Sequence, residues 1–178
     1  IGVPVGAVIG SSVAGFLWGL EKVTQIRWES DAWFGGAPAH LPWLLFLLPV
    51  AGIAIGWMYH VFGKSVEGGN NLSMEQIHEP CGGVPSRMAP LVLIGTIVTH
   101  LFGGSAGREG TAVQMGGSIA STIGRWLRIN EIDTRTLLMC GVAGGFGAVF
   151  GTPLTGALFA VEVLAIGLID FQAMVPCL

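Results

Sequence analysis

Charge is what this sequence has least of. Asp, Glu, Lys and Arg make up 11% of its 178 residues, against 52% hydrophobic ones. A soluble globule carries about 25% charged residues because its surface must face water. A chain this poor in charge cannot cover a soluble surface, so its outer face is expected to meet lipid. The net charge of −3 leaves no basic face for phosphates, which argues against a nucleic-acid partner. Cysteine is scarce as well. Cys81, Cys140 and Cys177 are odd in number and widely spaced, so they read as small buried hydrophobes and not as a disulfide framework. No basic segment precedes the opening apolar run and no cleavage site follows it, so no secretory signal is read. The sequence starts on Ile1 and stops on Leu178 within an apolar stretch, and both ends read as cut.

What is present in excess is glycine, 29 residues, in a chain of mean hydropathy +0.70. Small residues let membrane helices approach closely. Ile1–Leu20 and Leu41–Phe62 are each long enough to span a hydrocarbon core, which takes about 20 residues. Trp43, Trp57 and Tyr59 bracket the second. Between them, Glu21–His40 is polar and mixed in charge and reads as a solvent loop. Met88–Phe102 is apolar but short, and Thr111–Leu127 is moderately apolar with many small residues. Thr136–Val161 carries no charge, yet Gly151-Thr152-Pro153 interrupts it. Proline removes a backbone donor and breaks a helix, so this stretch is expected to form two helices end to end. Gly141/Gly145 and Gly147/Gly151 have small-xxx-small spacing, which favours packing. Arg125, Arg128 and Arg135 cluster in one short loop, expected to be cytoplasmic.

Short and interrupted hydrophobic segments are the mark of transporters whose helices stop inside the membrane. Irregular backbone at that depth is tolerated only where protein buries it or where it lines a cavity. Glu109 lies at such a point, in Gly107-Arg108-Glu109-Gly110-Thr111, at the start of an apolar segment. An ionisable residue there is costly and points to function; the competing reading has Arg108 and Glu109 neutralise each other at an interface. The surrounding glycines free the backbone and expose N–H groups at a helix start, where the positive dipole end attracts an anion. A carboxylate there competes with a dissolved anion for the same donors, and protonation releases the site. A second turn, Gly68-Gly69-Asn70-Asn71-Leu72, has a similar form, with Asn70 or Asn71 placed to cap a short helix or to donate to an anion.

Gly-Arg-Glu-Gly at 107–110 resembles the central motif of the CLC family, in which the Glu is the external gate. Gly69-Asn70-Asn71-Leu72 falls where that family has its first filter loop, Gly-Ser-Gly-Ile-Pro. Residues 150–162 are similar to its Phe-x-x-Pro-Leu-x-Gly-x-Leu-Phe-x-x-Glu stretch. The resemblance covers nearly the whole chain but only the first of the family's two inverted repeats. It departs where the filter Ser becomes Asn70, where the Pro after the central Glu becomes Thr111, and where an internal proton Glu becomes Val163. That combination resembles the fluoride-exporting branch.

The resemblance implies an all-α integral membrane fold, a CLC-type bundle with broken and re-entrant helices, with 1–178 as a single membrane domain. It implies a multi-pass protein of the bacterial inner membrane, not an enzyme. Its cargo would be a halide, fluoride or chloride, bound by Gly69, Asn70, Asn71, Leu72, Gly107, Arg108, Gly110 and Thr111. Glu109 would act as gate and proton carrier, with protons entering as anions leave. A homodimer through about 156–178 is implied in the same way. The alternatives are a chloride channel or chloride/proton exchanger, and a membrane interaction subunit without transport. No cofactor or metal is expected. His78-Glu79-Pro80-Cys81 lacks a second ligand pair, and Gly103-Gly104-x-x-Gly107 is not a dinucleotide fingerprint because no strand precedes it. His100 reads as a packing residue, and Glu162 either faces an aqueous vestibule or ends its helix at the membrane surface.

Overall fold

A computed structural model describes residues 2–33, 46–66, 68–78, 83–164 and 171–178. The described residues form helices and connecting turns. In order these are α1 (Gly2–Trp33), α2 (Leu48–Phe62), α3 (Gly69–His78), α4 (Met88–Leu101), α5 (Arg108–Trp126), α6 (Glu131–Phe150), α7 (Pro153–Leu164) and α8 (Phe171–Cys177). Among them α1 alone is long and apolar enough to cross a membrane, over Gly2–Arg27. At 1.5 Å per residue, α2, α4 and α7 fall short of the ~30 Å hydrocarbon core.

The first expectation to fail is the solvent loop at Glu21–His40. Helix α1 continues without interruption to Trp33; residues 34–40 lie outside the described part. Polarity was the wrong guide here. Glu21–Trp33 contains no Gly or Pro, and its Glu, Lys, Gln and Arg are good helix formers. Thr24 returns its hydroxyl to the Leu20 carbonyl at 2.8 Å, and Lys22 reaches Gln25 at 3.2 Å. Residues 41–45 of the second expected span, Trp43 included, are also outside the described part; its remainder forms α2. On α1, Val5, Ile9, Val13 and Phe16 make a buried stripe at helical spacing, while Val3, Val8 and Trp18 are exposed.

The centre of the fold is a seam between α5 and α6 where backbone meets backbone. A methyl group on Gly116 would strike the Gly141 carbonyl, and one on Gly145 would strike the Ala112 carbonyl. Small residues at these positions are therefore obligatory for the packing. Gly141 and Gly145 thus both pack against the neighbouring helix as their spacing leads one to expect, whereas the two glycines of the other pair differ. Gly147 packs against Pro153, but Gly151 has open space beside it and a left-handed φ of 67°, capping α6. Thr152 N–H closes that cap on the Gly147 carbonyl at 3.0 Å, and Pro153 begins α7 at a position that suits it.

The break expected at 151–153 is present, but the two helices do not run end to end. The left-handed residue turns the chain, and α7 folds back along α6. Gly156 then lies so close to the Ala143 carbonyl that no side chain fits between them, and Phe146 and Phe159 stack with ring centroids 4.0 Å apart.

The arginine cluster is not confined to one loop. Arg125 sits in the last turn of α5, Arg128 in the turn after it, and Arg135 within α6. Arg125 Nη1 donates to the Val84 carbonyl and to Ser121 Oγ, both at 2.8 Å. Ser118 Oγ donates to the Pro85 carbonyl at 2.8 Å. Two side chains of α5 thus tie down the chain that leads into α4.

Candidate functional site

Two helix starts meet at the site. Helix α3 opens on Gly69, whose φ of 53° is open to glycine and strained for other residues. Helix α5 opens after Gly107, which is extended and places no side-chain cap on the first turn. A helix start carries the positive end of its dipole, but the two starts differ. At α3 the N–H groups of Gly69, Asn71 and Leu72 already donate to the Val66 and Gly68 carbonyls, whereas at α5 Thr111 N–H is the first to find a backbone partner, the Gly107 carbonyl at 3.4 Å. The starts are held close because Gly110 has no side chain. Asn70 Nδ2 lies 3.2 Å from the position a Cβ would take on Gly110. Beside it, Gln114 Nε2 lies 3.7 Å from the corresponding position on Gly69.

Asn70, Glu109 and Gly110 border a cavity of about 250 Å³, together with Ser73 and a wall that includes Val113, Val142, Phe146 and Phe159. Among the described residues, no Lys, Arg or His lines it. Glu109 also borders a second, larger space of about 900 Å³, lined by Arg108, His100 and the polar turn of α1 at Glu21, Thr24 and Gln25, together with Leu17, Leu20 and Val149. One carboxylate therefore borders both a small, mainly apolar space and a larger one of mixed polar and apolar lining. Its Oε1 is 3.8 Å from Arg108 Nε, with the side chains 44% and 61% exposed. That separation is beyond hydrogen-bonding distance and both groups are open to solvent, so the carboxylate is not locked by its neighbour.

The other expected residues are distributed unevenly. Gly69 and Gly107 shape the two turns. Asn71 and Leu72 do not border the 250 Å³ cavity, and neither does Arg108. Thr111 is buried, and its hydroxyl is engaged: it donates to the Gly107 carbonyl at 3.0 Å and lies 2.7 Å from Thr96 Oγ1 on α4. His100 packs through Nδ1 on the Thr96 carbonyl at 2.9 Å and also lines the larger space. Glu162 is exposed near the end of α7. Val163 lies in α7, and Glu79–Cys81 fall outside the described residues. Ser73, Phe146 and the polar turn of α1 escaped the sequence reading. Ser73 stands three positions after Asn70, one helical turn on, which was the available signal.

Residues 51–178 match the family model described as "Voltage gated chloride channel". A chloride/fluoride channel protein of Pseudomonas syringae pv. tomato is 51% identical over 97% of this chain and 36% of its own length. An H(+)/Cl(−) exchange transporter, ClcA, of Vibrio vulnificus is 31% identical over 89% of this chain and 34% of its own. The crystal structure of a CLC-type fluoride/proton antiporter superposes with a TM-score of 0.87 at 37% identity, over 99% of this chain and 42% of that one. A slow cyanobacterial Cl−/H+ antiporter gives 0.79 at 27% identity over the same shares. The chain thus spans well under half the length of each of these relatives.

Proposed function

The chain belongs to the voltage-gated chloride channel family, CLC, and from that premise we propose that the full-length protein exports fluoride in exchange for entering protons. CLC membership makes it a membrane anion transporter and not an enzyme. The observation that carries the finer reading is the position of Glu109 on the border of both spaces, at the unpartnered start of α5. Ionised, its carboxylate occupies the N–H groups that a dehydrated anion needs. Protonated, it leaves them, and the anion passes from the smaller space to the larger one. Exchange follows because the gate opens only by taking up a proton. The Asn70 amide, held against Gly110, supplies a donor to the chamber, in keeping with a small, strongly hydrogen-bonding anion such as fluoride.

The relatives named for fluoride favour this reading over a chloride/proton exchanger. The protein works in the bacterial inner membrane as a multi-pass homodimer associated through about 156–178. Fluoride and chloride efflux from liposomes holding the full-length protein, with and without a proton gradient, test the reading. Fluoride efflux is expected to drive protons inward, and Glu109→Gln to abolish that coupling. Proton-coupled fluoride movement that survives Glu109→Gln would refute the mechanism. Chloride moving as readily as fluoride would return the protein to the exchanger reading.

A further inference from the structure

We propose that Ser73 is a third ligand of the transported halide, donating its hydroxyl within the chamber between Asn70 and Glu109. This rests on the anion-transport reading above and adds a residue to it. Ser73 lines the 250 Å³ cavity and is 2% exposed. Its Oγ has no hydrogen-bond partner among the described residues. A buried hydroxyl without a partner is costly, and the rest of this molecule shows how easily that cost is avoided. Ser11, Ser12, Thr24, Thr99, Thr122 and Thr134 each donate to the carbonyl four residues earlier. For Ser73 that carbonyl belongs to Gly69, in the left-handed turn that starts α3, and no such bond forms. The hydroxyl is thereby left available one helical turn beyond the Asn70 amide.

The chemistry of the chamber selects the ligand class. Among the described residues its polar side chains are Asn70, Ser73 and Glu109, and none that borders it is cationic. The amide, the hydroxyl and the protonated carboxyl are all donors. Donors set among Val, Met and Phe side chains, with no fixed positive charge, suit a dehydrated monovalent halide. A polyanion would need a countercharge.

The test uses the full-length protein and sodium fluoride. Ser73→Ala is expected to raise the calorimetric Kd for fluoride about tenfold or more, as loss of a hydrogen bond to a charged group does. Ser73→Thr keeps the hydroxyl and is expected to stay within about threefold of the parent. Ser73→Cys, a weak donor of similar size, is expected to show the alanine loss and serves in its place if that variant aggregates. The proton-to-fluoride ratio is expected to be unchanged in all three. An alanine variant that binds fluoride as the parent does, or a threonine variant that fails equally, overturns the assignment. Halide flux that depends on Glu109 but not on Ser73 removes Ser73 alone. A parent that neither binds nor moves a halide removes the transport reading with it.

Discussion

Replacing Gly110 by alanine probes whether the contact between the two helix starts serves the anion. The added Cβ would stand 3.2 Å from Asn70 Nδ2, about 0.3–0.5 Å inside ordinary contact. The amide is a side-chain end and yields by that amount, which lengthens any hydrogen bond it makes to an anion. Such a bond is worth about 1.5–3 kcal/mol. Losing roughly a third of it, about 0.5–1 kcal/mol, slows fluoride exchange by about two- to fivefold. Stability moves the other way or not at all, because alanine exceeds glycine in helix propensity by up to about 1 kcal/mol. Fluoride efflux from liposomes reads the first effect and thermal unfolding in detergent reads the second. A double-mutant cycle isolates the route. Asn70→Ala alone should slow exchange by about 10-fold or more, and Gly110→Ala added to it should then have no further effect. If Gly110→Ala slows transport as much without the Asn70 amide as with it, the contact is irrelevant and the reasoning fails.

Two further outcomes test the framework that holds the site. Gly116→Ala forces a methyl group onto the Gly141 carbonyl and should destabilise the protein by about 1–3 kcal/mol, the usual range for overpacking; an unchanged melting temperature would show that the seam is looser than described. Arg125→Ala frees the Val84 carbonyl and Ser121 Oγ, at a loss of about 1–3 kcal/mol, and should raise amide exchange across 83–88 while leaving α7 protected.

The sequence disclosed the interruptions better than it disclosed the paths between them. Gly151-Thr152-Pro153 and the glycines around Glu109 mark breaks because each alters what the backbone can do, and both are where the pattern puts them. Composition misled at Glu21–Trp33, where charge marks a polar helical turn lining the larger chamber and not a loop. The folding back of α7 depends on the sign of one dihedral angle, at Gly151, which residue type permits but does not dictate. Ser73 was overlooked for another reason, although its spacing from Asn70 placed it on the same helix face. A serine in a helix ordinarily bonds to its own backbone, and only the unusual start of α3 leaves this one without that option. Arg125 was read from its charge alone, while its role follows from one carbonyl, that of Val84, 41 residues distant in sequence.

The glycine seam between α5 and α6 has a kinetic consequence. Two backbones in direct contact have no compressible side-chain layer between them, so neither helix can slide or tilt without prying the pair apart. The start of α5 is therefore a fixed post, and whatever opens beside it has to open by rotation about side-chain bonds. Rotamer changes take picoseconds to nanoseconds, whereas collective helix shifts take microseconds to milliseconds. Under the proposed gating role, movement of the Glu109 carboxylate would therefore belong to the faster class and require no shift of α5 itself.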